Sequence, residues 1–231
     1  MQAAVLEAVG KPLVLRSVPR PVIGPDEVLV QTRACGICGT DLHMQAGWGY
    51  QPALPFVMGH EPSGVVVEVG AAVQRFKPGD RVVPNIFYAC GECFYCRTDR
   101  ETQCSQLGGI LGVLAHWGGY GEFFKIPARQ LFPLPDAVSF AEGAVIADAV
   151  VTAVHAVQRG RVAPGERVAV LGVGGCGSAA LQIAQLYGAG TIGVDQSEAK
   201  RAHALALGAA AAVNGQATDA VAEVRAWTEG A

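Results

Sequence analysis

The sequence predicts an α/β-plus-β chain: a β-rich first part followed by an incomplete doubly wound parallel α/β part. Three observations carry this reading. Short β-branched or alternating runs separated by Gly/Pro turns fill the first 150 residues. Two clusters of metal-ligating residue types, at 35–61 and 90–104, interrupt those runs. From Val150 onward, short apolar strands alternate with helical stretches around one Gly-rich loop.

Composition sets the outer limits. The chain has 231 residues, 51% hydrophobic and 16% charged, enough for one large or two ordinary domains. We place the expected boundary between residues 149 and 150. No apolar run reaches the roughly 18 residues of a membrane span, and no membrane partner is expected. The start, Met1 to Glu7, has neither the basic nor the long apolar stretch of a secretory signal. A net charge of −3 gives no reason to expect nucleic acid. Seven cysteines, four of them clustered in a chain without a signal, suggest metal binding more than disulfides. A reducing cytoplasm is the expected location.

In chain order, Glu27–Ala34 predicts a strand with Val28, Val30, Thr32 and Ala34 on one face. Gly64–Gly70 is β-branched and bounded by glycines, as a buried strand is. Lys77-Pro78-Gly79-Asp80 is a turn, because Pro fixes φ and Gly accepts positive φ. Arg81–Val83 and Glu122–Ile126 follow as strands, and the set predicts a small barrel or sandwich. In the second part, Val168–Leu171 predicts a strand, Ser178–Tyr187 a helix stopped by Gly188, and Thr191–Val194 a second strand ending on Asp195. Ser197–Leu207 predicts a second helix and Ala211–Val213 a third, short strand. Thr218 would cap a last helix with Val221, Val224 and Trp227 on one stripe. There is no internal repeat, only an Ala-rich helical patch at 202–212.

Three motifs carry chemistry. Cys38 and His60 are candidates for two ligands of a catalytic zinc, which leaves one position open for water or substrate. Plain packing is the other reading of that pair. Cys90-x2-Cys93-x2-Cys96-x7-Cys104 offers four thiolates, enough to close a structural zinc site. An iron–sulfur cluster shares the first two spacings, but the last differs and Ser105 stands where that motif has Pro. The third motif is Gly172-Val173-Gly174-Gly175-Cys176-Gly177, between a strand and a helix. Its glycines suit a tight turn, close approach to a pyrophosphate and close helix–strand packing. Asp195 lies about 20 residues further on, where a carboxylate binds the ribose hydroxyls of NAD; a loop or helix-capping role is the other reading.

The remaining histidines and cysteines read as structural. His203 sits in an Ala-rich helix, His155 reads as a half-buried helix residue, and His116 lies beside Trp117 in a Gly-rich loop. Cys176 reads as small packing inside the loop and Cys35 as a core thiol. Neither has a basic neighbour that would lower its pKa.

Taken together, Gly36–His43, Gly59-His60-Glu61, Gly79-Asp80-Arg81-Val82, the four-Cys lobe and Gly172–Gly177 stand in the order and spacing of a known family. The chain resembles the zinc-dependent medium-chain alcohol dehydrogenases over essentially its whole length. The resemblance implies a GroES-like β-rich catalytic domain (1–149, with the zinc lobe at 90–104) and a partial Rossmann-type domain (150–231). It implies two zinc ions per chain and NAD as cofactor. Asp148 stands at the place of the family's third catalytic-zinc ligand, beside Cys38 and His60. Glu61 resembles the carboxylate that approaches the zinc during ligand exchange, and Asp41 the acid that orients the His60 ring. Thr40 and His43 look like the relay that carries the alcohol proton to solvent. Gly172, Gly174, Gly175, Gly177 and Asp195 would hold the dinucleotide, with Lys200 at its adenosine ribose. Gly39 departs from members that carry a basic residue there to touch the pyrophosphate. Trp48 and Trp117 line the pocket or pack in the core.

The implied reaction is oxidation of an alcohol to an aldehyde or ketone, the hydride passing to nicotinamide. The implied partners are a small alcohol or carbonyl substrate and, in the full-length form, a second copy of the chain. A doubly wound domain has six strands, and at most three are legible here. A shortened chain is therefore expected to bind ADP-like ligands weakly and to turn over little alcohol. Two other readings remain at this stage: a non-catalytic zinc-binding fragment of such an enzyme, and a zinc-free quinone or enoyl reductase relative.

Overall fold

The computed structural model describes residues 1–217 and 219–228. The chain resolves into two compact units, Met1–Asp148 and Ala149–Ala231. Thr218, the expected cap, lies outside the described residues.

The first unit holds ten strands: β1 (Gln2–Leu6), β2 (Val14–Ser17), β3 (Glu27–Gly36), β4 (Phe56–Val57), β5 (Glu61–Val69), β6 (Arg81–Pro84), β7 (Ile110–Leu111), β8 (Ala115–His116), β9 (Phe123–Pro127) and β10 (Leu131–Pro133). Helix α1 (Gly39–Ala46) follows β3, and α2 (Phe140–Val145) follows β10. Strands β2-β1-β4 form one sheet, β10-β6-β5-β3-β9 a second, and both are antiparallel. The core between the elements contains Val28, Val30, Phe124, Ile126 and Leu131, all with no exposed surface. The expected turn at residues 77–80 is present: Gly79 has φ +97°, and Asp80 Oδ2 accepts the Lys77 amide at 2.9 Å.

Strand β3 departs from the expected single buried face. Val28 and Val30 are buried, but so is Leu29, while Thr32 and Ala34 are only half-buried. The pairing of β3 with β5 shifts between Leu29 and Val30 and again between Thr32 and Ala34. Each such bulge resets which side faces the core.

The second unit is a parallel sheet of three strands in the order β11-β12-β13, with β11 (Arg167–Leu171), β12 (Gly190–Val194) and β13 (Ala211–Val213). Its helices are α3 (Val151–Arg159), α4 (Gly175–Leu186), α5 (Glu198–Ala206) and α6 (Ala220–Trp227). Alternation along β12 sorts the two faces. A Cβ on Gly193 would meet Ala204, Val173 and Leu181, whereas Ile192 and Val194 pack toward Ala220, Val224 and Trp227. Val221, expected on the α6 stripe, is 68% exposed. The half-buried set 220, 224 and 227 follows i, i+4, i+7, which keeps a narrower stripe than 221, 224 and 227. His155 is also exposed, not half-buried, because α3 turns Ala153 and Val157 inward instead.

One helix among the described residues bears on the membrane expectation. Phe140–Arg159 is helical throughout, with a π-helical segment at Ile146–Val150 between α2 and α3. By length and composition it passes as a candidate span, with a mean hydropathy of 1.5. Glu142 and Asp148 break the apolar run in the sequence. Both are put to local use: Glu142 closes a capping box with Ser139 at the start of α2, and Asp148 joins the donor cluster described next.

Candidate metal centres and Gly-rich loop

The first centre is assembled from three places in the fold. Strand β3 ends at Gly36, and Cys38 then stands at the N-cap of α1, its amide donating to Asp41 Oδ2 at 2.9 Å. Glu61 opens β5, the partner of β3, and His60 stands just before it. Asp148 comes from the π-helical segment, a local irregularity that often marks functional positions. Donor atoms of Cys38, His60, Glu61 and Asp148 all lie within 4.8 Å of one another.

The distances fit a shared cation. Asp148 Oδ2 is 3.7 Å from Cys38 Sγ and 3.6 Å from His60 Nε2. Ligands arranged tetrahedrally on zinc at ordinary bond lengths stand about 3.4–3.6 Å apart for these atom pairs. The electrostatics agree. Burial opposes a charge on His60, but Asp148, Asp41 and Cys38 outweigh it and push its pKa up to about 12. Burial raises Glu61 to about 7, with the Asp148 carboxylate adding to the effect. An imidazole driven to bind a proton between carboxylates marks a place that calls for positive charge. On the other side of the ring, His60 Nδ1 faces Asp41 Oδ1 at 3.5 Å, and neither atom has a hydrogen-bond partner. Asp41 is only 3% exposed, so it stands where an orienting acid belongs.

Of the two expected relay residues, Thr40 places its Oγ1 3.8 Å from Cys38 Sγ. His43 lies one turn further along α1, exposed, with its ring stacked on Trp48 at 5.5 Å. No hydrogen bond joins Thr40 to His43 among the described residues. Trp48 is 67% exposed, while Trp117 packs against two core clusters. His116 stacks on Tyr88 with ring centroids 3.5 Å apart, and burial lowers its pKa. Sequence reading missed Tyr120, whose hydroxyl donates to the Gly36 carbonyl at 3.3 Å. No local motif marks that residue.

The second centre is the lobe of Cys90, Cys93, Cys96 and Cys104. The sulfur pairs 90–96, 93–96 and 93–104 are 3.8, 3.5 and 3.9 Å apart. A disulfide requires about 2.05 Å, whereas four sulfurs at 2.3 Å around one ion are about 3.8 Å apart. Backbone amides point at these sulfurs: Cys90 N–H donates to Cys104 Sγ and Cys93 N–H to Cys90 Sγ, each at 3.3 Å. The amides of Cys96 and Ser105 hold the Cys93 thiol down to about 5, in the thiolate form that binds metal.

The Gly-rich loop lies in the second unit. Gly172 has φ +90°, and a Cβ on Gly177 would sit 1.8 Å from the Gly172 carbonyl oxygen. The loop therefore closes only with glycine at 177. Helix α4 starts at Gly175, three residues before the expected Ser178, so Gly175 and Gly177 belong to its first turn and Gly174 is its N-cap. Cys176 is consequently exposed on that turn, not packed inside the loop. Asp195 Oδ2 accepts the Val173 amide and Oδ1 the Ser197 amide, each at 2.9 Å. The Ser197 amide, then that of Val173, lowers the Asp195 pKa. Asp195 thus ties the loop to the start of α5, with Lys200 Nζ 3.9 Å away.

Comparison with known proteins agrees with both halves. Residues 24–136 match the family model for the alcohol dehydrogenase GroES-like domain, and residues 175–231 match that for zinc-binding dehydrogenase. An alcohol dehydrogenase of Geobacillus stearothermophilus is 44% identical over 96% of this chain and 65% of its own length. An alcohol dehydrogenase of Rhizobium meliloti (strain 1021) is 40% identical over 100% of this chain and 68% of its own. A crystal structure of an NAD-dependent alcohol dehydrogenase superposes with a TM-score of 0.91 at 36% identity, covering 100% of this chain and 68% of that one. The fold and donor sets agree with the class these two family models describe. The chain belongs to the zinc-dependent medium-chain alcohol dehydrogenase family, and it spans about 65% of the length of the first of these relatives.

Proposed function

We propose that the protein oxidises a small alcohol to an aldehyde or ketone and passes the hydride to NAD. The observation that carries this reading is the contrast between the two donor sets. The lobe offers four sulfurs and nothing else, whereas the first centre mixes Cys38, His60 and Asp148 with Glu61 alongside. Three firm ligands with a fourth position left free is the arrangement of a catalytic zinc site. Zinc held there supplies Lewis-acid polarisation of the substrate oxygen.

The chain's own residues supply the rest. Asp41 holds the His60 ring through its Nδ1 side and sets which nitrogen faces the centre. Thr40, beside the Cys38 sulfur, receives the hydroxyl proton, and His43, exposed on the same helix, releases it to water. The Gly172–Gly177 loop and the start of α4 bind the pyrophosphate of the dinucleotide. Asp195 keeps lone pairs free for ribose hydroxyls, with Lys200 close by. Seven cysteines, none in a disulfide among the described residues, support a reducing, cytoplasmic location. The family resemblance supports a homo-oligomer, which light scattering of the purified protein reads directly.

The test is NADH or NADPH formation with a panel of primary, secondary and polyhydroxylated alcohols. We expect turnover with NAD from a chain that carries the full six-stranded domain, lost when zinc is removed. We also expect NAD to bind more tightly than NADP, because the Asp195 carboxylate repels a 2′-phosphate. Turnover that survives complete zinc removal would contradict the metal role. Tighter binding of NADP would contradict the role of Asp195.

A further inference from the structure

Gly36 and Glu61 are direct partners at the end of the β3–β5 ladder. The Cβ atoms of such a pair ordinarily stand about 4.5–5.5 Å apart. A Cβ placed on Gly36 would lie 3.0 Å from Glu61 Cβ and 1.9 Å from Glu61 Oε2. The Glu61 side chain therefore folds back over its partner, and its carboxylate takes the space a side chain at position 36 would fill. The backbone dihedrals do not ask for glycine here, since Gly36 is not among the residues of positive φ. Gly59 differs: its φ is +94°, and a Cβ there would strike the Tyr120 backbone. At Gly36 the nearest obstruction to a side chain is Glu61 itself.

Glu61 has few other places to go. It is 5% exposed, so solvent offers no ready alternative. Its carboxylate already lies within 4.8 Å of the donor atoms of Cys38, His60 and Asp148. Pushed off Gly36, it has the donor set on its other side.

We propose that Gly36 is a positioning residue for the first metal centre. Its missing side chain gives the Glu61 carboxylate a resting place beside the donor set, and so keeps Glu61 from becoming a permanent fourth ligand. The proposal rests on the zinc reading of Cys38, His60 and Asp148. A methyl group at position 36 removes the resting place and drives the carboxylate onto the metal. The fourth position then closes, and the ion is held by four protein ligands instead of three.

The experiment follows zinc release from the purified protein to an excess of a coloured chelator. The phase belonging to the first centre is the one that disappears in His60→Ala. Gly36→Ala should slow that phase by roughly tenfold or more, the scale on which changes around metal ligands act. The lobe phase should stay unchanged and report that the protein is folded. In a Glu61→Gly background, which removes both the carboxylate and the Cβ 3.0 Å away, Gly36→Ala should have no effect. Unchanged or faster release in Gly36→Ala overturns the proposal. So does slowing that persists without Glu61, or a double variant that fails to fold, since either places the effect in the backbone. If His60→Ala removes no phase, the zinc reading itself fails, an outcome distinct from all of these.

Discussion

Replacing Cys93 by Ser is expected to remove one zinc and unfold the lobe at 90–104 while the rest of the first unit stays folded. The reason is the poverty of the lobe's own core. Of its residues only Cys96 is buried, and Phe94 is 67% exposed on its surface. Two short 3₁₀ turns, Cys96–Thr98 and Glu101–Gln103, supply its regular structure. Such a segment cannot offset its ordering entropy by apolar burial. The remaining source is metal coordination, which in zinc-finger peptides contributes about 10–16 kcal/mol. Cys93 also sits in two of the three close sulfur pairs, so its loss opens the set most directly. Elemental analysis should fall from about two zinc ions per chain to about one, and limited proteolysis should cut within the lobe. Retention of both ions with the lobe protected would contradict this account, as would iron and sulfide in the unaltered protein.

Replacing Asp148 by Ala is expected to do the converse. The first centre should lose its ion while the lobe keeps its own, again leaving about one zinc per chain. Asp148 Oδ2 is the atom that approaches both Cys38 Sγ and His60 Nε2, so removing it leaves two ligands facing a wide gap. The carboxylate also favours positive charge on His60. In a chain that carries the full six-stranded domain, turnover should fall about a thousandfold or more, because polarisation by a metal ion supplies several kcal/mol of transition-state stabilisation. Zinc at about two per chain with turnover intact would show that Asp148 is not a ligand. The two variants form a pair: each should empty one centre and spare the other.

The sequence reveals these centres unequally. The four lobe cysteines are neighbours in the chain, and their spacing alone points to a metal. Cys38 and Asp148 are 110 residues apart, and nothing local distinguishes Asp148 within Ile146-Ala147-Asp148-Ala149. It was legible only through family resemblance. The π-helical segment that aims it has no sequence signature of its own. The Gly-rich loop was legible because glycines at fixed spacing between a strand and a helix have few other uses, although the helix begins earlier than its first non-glycine former suggests. Where reading failed, a local irregularity or a narrow face was responsible: the bulges in β3, the outward turn of His155, and the exposure of Val221. Periodicity assumes an unbroken ladder and a full-width face, and these segments have neither. Gly36 illustrates a further limit, since its meaning lies in a side chain on another strand.

The measurement closest to the central claim replaces zinc by cobalt and follows its visible absorption as an alcohol is added, with no dinucleotide present. The account predicts two populations of tetrahedral cobalt. The one held by four sulfurs should be indifferent to alcohol. The one held by Cys38, His60 and Asp148 should shift on titration, because a fourth position is free to take the oxygen. The shift should vanish in Asp148→Ala and persist in Cys93→Ser. A spectrum that does not respond to any alcohol, with both centres filled, would contradict the reading of the first centre as an open catalytic site.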